Sequence, residues 1–233
     1  MNIFKIFFIA FTFIPSFSVL AGGTYNPTLA VLYAQTWTSN KDGEKRNPNY
    51  RSFDSDCTNL FSQSMRAGGL TDDKVKTKNW LGQIINDYLA IGSWYHITSL
   101  SWWDRNPSSS TFSNTWSIAN SHASRLKSGF DSWKYVGVYD LKNTSNIMVE
   151  YGDAIFAQWD PKKDTNINHA MLVTGFRKVG NAYEPRLTYH STDRLNRSFT
   201  DFRSAALAQS PNTKIYVYRR VLRSSVPASW QIF

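Results

Sequence analysis

The chain has 233 residues, 42% hydrophobic and 15% aromatic, with one cysteine and a formal charge of +9. A single cysteine excludes an intramolecular disulfide framework. No dense basic run accompanies the charge: Lys74, Lys76 and Lys78 alternate with neutral residues, and Arg219-Arg220 with Arg223 is short. The composition therefore gives no reason to expect nucleic-acid binding, and a solvated basic face is the simpler reading.

The first residues, MNIFKIFFIAFTFIPSFSVLAGG, place one lysine before a mostly apolar run from Ile6 to Ile14, followed by Pro15. Val19 and Ala21 supply the small residues of a cleavage site before Gly22-Gly23. Residues 1–21 are predicted to be a secretory leader, because the apolar run is too short to span a bilayer. The mature protein, residues 22–233, is then expected to be one domain, secreted or periplasmic, without stable membrane insertion.

Pro27 to Asn40 is predicted to be helical, with Leu29, Ala30, Val31, Tyr33, Ala34 and Trp37 forming an apolar stripe. A polar loop follows, SNKDGEKRNPNYRSF. It leads into the helix that holds Cys57. Ser55-Asp56 are good N-cap residues, Leu60, Phe61, Ser64 and Met65 recur at helical spacing, and Gly68-Gly69 stops the run. The thiol is thus expected in the first helical turn, where unpaired N–H groups and the helix dipole favour a thiolate. The alternative is a small buried hydrophobe. Polar flanks and the free thiol of an exported chain favour a nucleophile. Asp56 reads as a helix cap rather than as chemistry.

Leu70 to Ser110 is rich in aromatics, including Trp80, Trp94 and Trp102-Trp103, and has no clean period. Phe112 to Lys127 reads as one helix ended by Gly129, with His122 on its polar side. From Lys134 the period becomes two, in KYVGVYDL, IMVEYGDAIFAQW, HAMLVTGFRKV, RLTYHST and KIYVYRRV. Helices first and a meander of antiparallel strands after them predict an α+β domain, with the N-terminal helices packed on the sheet.

A nucleophilic thiol needs a nearby base, usually imidazole. Of the four histidines, His169 opens a strand directly after a polar loop, and His190 lies on the next strand. Gly180-Asn181 marks the turn between them. A loop of residues 178–181 sets His190 opposite His169, and a two-residue turn makes it a diagonal neighbour on the same face. An odd-length loop would separate them. Zinc bound by Cys57, His169 and His190 is the competing use, but no close-spaced ligand pair supports it.

The segments SFDSDCTNLFSQSMRAGGL, TWSIANS, YGDAIFAQWD with NHAMLVTGF, and LTYHSTDRLNRSF resemble, in order, the motifs of the putative amidase domain family of secreted bacterial proteins. That family is similar to the NlpC-like and CHAP cysteine peptidases, on a papain-like fold. The resemblance implies Cys57 as nucleophile, His169 as general base and acid, and His190 as the group that orients His169, with Asp193 as the alternative. It implies a peptidoglycan peptide as substrate, for wall remodelling or as an antibacterial toxin with an immunity protein as further partner. Relatives have a more acidic loop before His169 that could hold calcium. Here Asp160 and Asp164 flank Lys162-Lys163, so no metal or other cofactor is expected. Two other readings stay open: acyl transfer or lipid-amide hydrolysis by the same Cys–His pair, and a non-catalytic wall-binding module.

Overall fold

The computed structural model describes residues 25–98 and 110–221. The leader and Trp102-Trp103 lie outside the described residues.

Helix α1 spans Pro27–Thr36 and is capped by Asn26, whose side chain accepts from the N–H groups of Thr28 and Leu29. It stops four residues short of the expected Asn40. Helix α2 spans Cys57–Ala67, as the spacing predicts. Gly69 ends it with φ 103°, and the Leu70 N–H returns to the Met65 carbonyl at 3.1 Å. Gly68 has another reason: a Cβ there would lie 2.5 Å from the Tyr25 ring.

Every residue of α2 from Cys57 to Met65 is buried, polar ones included. Such a helix is stable only if its polar side chains find partners. They do. Ser62 Oγ donates to the Trp116 carbonyl at 2.8 Å and accepts from Trp94 Nε1 at 3.1 Å. Trp116 Nε1 donates to Asn59 Oδ1 at 2.7 Å, and Tyr33 Oη to Gln63 Oε1, also at 2.7 Å.

After α2 the chain forms an exposed hairpin, β1 (Lys76–Lys78) and β2 (Ile84–Asn86), with Trp80 at its turn 91% exposed. A second short pair, β3 (His96–Ile97) and β4 (Thr111–Phe112), follows. The single helix expected over Phe112 to Lys127 is instead β4, a short α3 (Asn114–Ser117) and α4 (Ala119–Lys127). Ile118, with φ −111° and ψ 120°, breaks the run between the two helices. His122 does not face solvent; it is buried against Phe61, with Nδ1 3.2 Å from Ser62 Oγ. The helix is enclosed on the side that sequence spacing left polar, because α2 and its serine row pack there.

The main sheet has six antiparallel strands in the order β5 (Trp133–Asp140), β10 (Lys214–Arg220), β6 (Ala154–Gln158), β7 (His169–Val179), β8 (Ala182–Tyr189), β9 (Arg194–Ser198). Of the expected meander, β6 to β8 pair in chain order and β9 extends the run, while β10 returns to pair between β5 and β6. The fold is α+β. One face carries α1, α2 and α4 over Phe156, Ala170, Leu172 and Tyr218. The other carries α5 (Phe199–Gln209) over Ile155, Met171, Val173 and Leu187. The sequence reading missed α5 and β9. Ser198 caps α5 by accepting the Asp201 N–H at 3.0 Å, and Phe199, Phe202 and Ala206 form its buried stripe.

Candidate active site

Cys57 is the first residue of α2 and is 3% exposed. Its side chain lies in a small void walled by Ala34, Phe61, Ala170, Leu172 and Thr188. Burial pushes the thiol pKa up, although the N–H groups of Ala170 and Thr58 and the Thr58 hydroxyl favour the thiolate. The expectation of a lowered thiol pKa is therefore corrected: desolvation outweighs the helix-start donors.

The donor from Ala170 has a simple origin. Paired residues of β7 and β8 end at Leu172 and Thr188. Two residues earlier along β7, Ala170 borders the Cys57 void, and its N–H favours the thiolate. That N–H belongs to the peptide link that joins His169 to Ala170.

His169 opens β7 and sits level with Ala157 of β6. Side chains alternate along a strand. Ala170 and Leu172 face Cys57 and α2, whereas Met171 and Val173 face α5. The His169 ring lies with the second set. It is tilted against Trp159 at 5.5 Å between ring centres and edge-on to Tyr189 at 4.8 Å. No hydrogen bond joins it to Cys57 or to any other described residue. Burial lowers its pKa to about 4, so the imidazole is neutral at pH 7. It borders a cleft of about 430 Å³ whose rim includes Asp54, Ser55, Ser191 and Thr192. Asp54 and Ser55 directly precede the N-cap of α2, so this cleft reaches the start of the cysteine helix.

His190 does not orient His169. Near the turn, β7 and β8 pair as the two-residue turn requires, with Val179 level with Ala182 and Gly175 with Arg186. A bulge between Val173 and Gly175 then shifts the register by one, so Leu172 meets Thr188. Continuing that register sets His190 level with Ala170, on the α2 face and away from His169. A bulge of one residue thus has the same effect as the odd-length loop, and it leaves no mark in the turn sequence.

On that face, His190 Nδ1 lies 2.6 Å from Asp56 Oδ2, and Nε2 lies 2.8 Å from the Trp37 carbonyl. The ring thus bridges the start of α2 and the end of α1 through both of its nitrogens. Asp56 Oδ1 accepts the Phe53 N–H at 3.0 Å and Asn59 Nδ2 at 2.8 Å. Asp56 occupies the N-cap position, yet its side chain makes no capping bond to the helix backbone. It is a buried hub instead.

Asp193 also stands apart from His169. Its carboxylate takes a two-pronged contact from Arg46, with Nη2 at 3.0 Å from Oδ1, and accepts the Gly43 N–H at 3.2 Å. Arg46 Nε is 3.4 Å from Asp56 Oδ2 as well. One arginine from the polar loop thus links Asp56 and Asp193, and with them His190. Sequence reading missed Arg46, whose hub partners Asp56 and Asp193 lie 10 and 147 positions away. Among the described residues no group of three His, Cys, Asp or Glu side chains is placed to hold a metal, so Cys57, His169 and His190 form no zinc set. Asp164 ties its own loop together, accepting from the Asn166 N–H and from Asn168 Nδ2.

The sequence matches the family described as "Putative amidase domain" over residues 24–218. The chain belongs to this family. No curated protein and no solved structure matches it. Membership in the amidase family points to amide hydrolysis, and its matched span contains Cys57, His169, His190, Asp193 and the Arg46 hub.

Proposed function

We propose that the chain is a cysteine-dependent amide hydrolase with Cys57 as nucleophile and His169 as proton carrier. One observation supports the pairing above the others: Cys57 and Ala170, the residue directly after His169, border the same small void.

The resting pair is a thiol and a neutral imidazole. Rotation about the Cys57 Cα–Cβ bond turns the sulfur from its void towards the cleft at Ser55. His169 then takes the thiol proton as sulfur attacks the amide carbon. The carbonyl oxygen gains negative charge, which backbone N–H donors at the start of α2 stabilise. Collapse of the adduct breaks the C–N bond, and the proton on His169 goes to the leaving amine. Water, deprotonated by His169, cleaves the thioester and restores the thiol.

The substrate in this reading is a peptide amide of bacterial peptidoglycan, met after export by the leader. The protein either remodels its producer's wall or acts as a toxin countered by an immunity protein. Mass spectrometry of peptidoglycan incubated with the mature protein tests this. New termini at a peptide amide are expected with the natural protein and none with Cys57→Ala. Undiminished cleavage by a folded Cys57→Ala protein overturns the nucleophile.

A further inference from the structure

A groove of about 620 Å³ runs along the outer edge of the sheet, between β9 and α5. Arg186 of β8 and Arg194 and Arg197 of β9 line it, with Asn40, Asp201 and Ser204. Each arginine is held on one edge by a neutral acceptor. Arg186 Nη1 donates to the Asn196 carbonyl at 3.2 Å, and Arg194 Nη1 to the Asp193 carbonyl at 2.7 Å. Arg197 Nη1 donates to Tyr189 Oη at 2.8 Å, and its Nη2 to the Asp201 carbonyl at 3.0 Å.

None of the three meets a carboxylate among the described residues. Arg46, Arg66, Arg125, Arg177 and Arg219 all do. Carboxylates near the groove are committed elsewhere: Asp193 to Arg46, and Glu184 to Arg177 at 2.9 Å. Asp201 alone adds a negative charge to the wall, against three guanidinium groups. The result is a positively charged groove of oriented, incompletely used forks, which suits an oxyanion.

The groove is continuous with the cleft at His169, since Arg197 and Ala205 line both. We infer that the groove is a subsite for carboxylate groups on the amide substrate, so that the enzyme selects anionic, carboxylate-bearing peptides. This rests on the reading of the His169 cleft as the place where the amide is cut. The subsite itself is a binding claim and can be tested without turnover.

The test uses the mature Cys57→Ala protein and a pair of tetrapeptides. One has a glutamyl side chain and a free C-terminus; the other is the same peptide amidated at both positions. Calorimetry at low salt should show the acidic peptide binding at least about tenfold more tightly, with the advantage shrinking as salt rises. Arg186→Gln with Arg194→Gln should cut the advantage to about a third or less while the protein stays folded; Arg197 is left in place because it also holds the Tyr189 side chain. With active enzyme the double variant should raise KM for the acidic peptide and leave kcat unchanged. Equal binding of the two peptides, or an advantage undiminished in the double variant, overturns the subsite whatever the turnover. Arginine-dependent binding with no hydrolysis would keep the subsite and overturn the amidase reading instead.

Discussion

His190 and Asp56 are 134 positions apart in sequence and meet at 2.6 Å, directly beside the residue that starts the cysteine helix. Both are buried, and the Arg46 guanidinium lies 3.4 Å from the same carboxylate oxygen. Removing one partner of a buried charged pair leaves the other without compensation, at a cost of roughly 3 to 5 kcal/mol. Asp56→Ala, which strands the buried His190 while Arg46 keeps Asp193, should approach that figure. His190→Ala should cost less, about 1 to 3 kcal/mol, because Asp56 keeps Arg46, Asn59 and the Phe53 N–H. Urea unfolding measures both. Activity per folded molecule in His190→Ala should stay within about tenfold of the natural protein; a stable but inactive variant would return His190 to the chemistry.

His96 is 3% exposed and neither of its ring nitrogens has a hydrogen-bond partner among the described residues. Its ring packs on Tyr50 at 5.0 Å and on Trp116 at 5.3 Å. Unmet buried nitrogens cost free energy that a hydrocarbon ring does not. His96→Phe should therefore stabilise the fold by about 1 kcal/mol. A fall in stability would show that the nitrogens are satisfied in solution.

The same histidine bears on acid stability. Burial depresses the pKa of His96 and His169 to about 4, and of His122 to about 3. As pH falls below about 6.5 the unfolded chain binds protons at these sites and the folded chain does not. Their contribution is thus fully present above that pH and is lost as pH falls towards 4. Each should lower the unfolding free energy by up to about 1.4 kcal/mol per pH unit in that window. Denaturation at pH 7, 6 and 5 should show the decline, and His96→Phe should make it shallower. Stability that is level from pH 7 to 5 would contradict the depressed values.

His169→Ala should reduce the rate by on the order of 100-fold or more, the usual scale for a general acid–base. It also removes a ring packed between Trp159 and Tyr189. His169→Phe separates the two effects, because it keeps an aromatic ring in that place and supplies no proton carrier. It should fold like the natural protein and remain as inactive as the alanine variant. Restored activity in the phenylalanine variant would show that His169 only packs.

Much of this architecture was legible because local signals and burial agree. The α2 boundaries follow from the Ser55-Asp56 start and the glycine pair, and β7 follows from the run HAMLVTGFRKV. Reading failed where a feature is non-local. The bulge beside Thr174 sends His169 and His190 to opposite faces, although the Gly180-Asn181 turn was read correctly. Asp56 looks like a cap by position, but the sheet brings it a histidine and an arginine that sequence spacing cannot announce. Helix α5 is different: Ser198 with Asp201 three residues later was a readable start, overlooked because the strands on either side dominated the pattern.

Sequence position alone favoured a resting thiolate paired with imidazolium, whose rate profile is a bell. Burial reverses both ionisations, raising the thiol and lowering His169 to about 4. Activity should then rise through about pH 4 as His169 loses its proton, and stay level across neutral pH, with circular dichroism used to correct for unfolded protein. The enclosed, protonated thiol should react slowly with iodoacetamide at pH 7 and faster in alkali, where it ionises. The two ionisations belong to one pair if the side chains meet during turnover, so the rate profile is compared as a whole. EDTA should not change it. Fast alkylation near pH 6 with a bell-shaped profile would restore the ion pair, and chelator-sensitive activity recovered by added zinc would replace the thiol mechanism altogether.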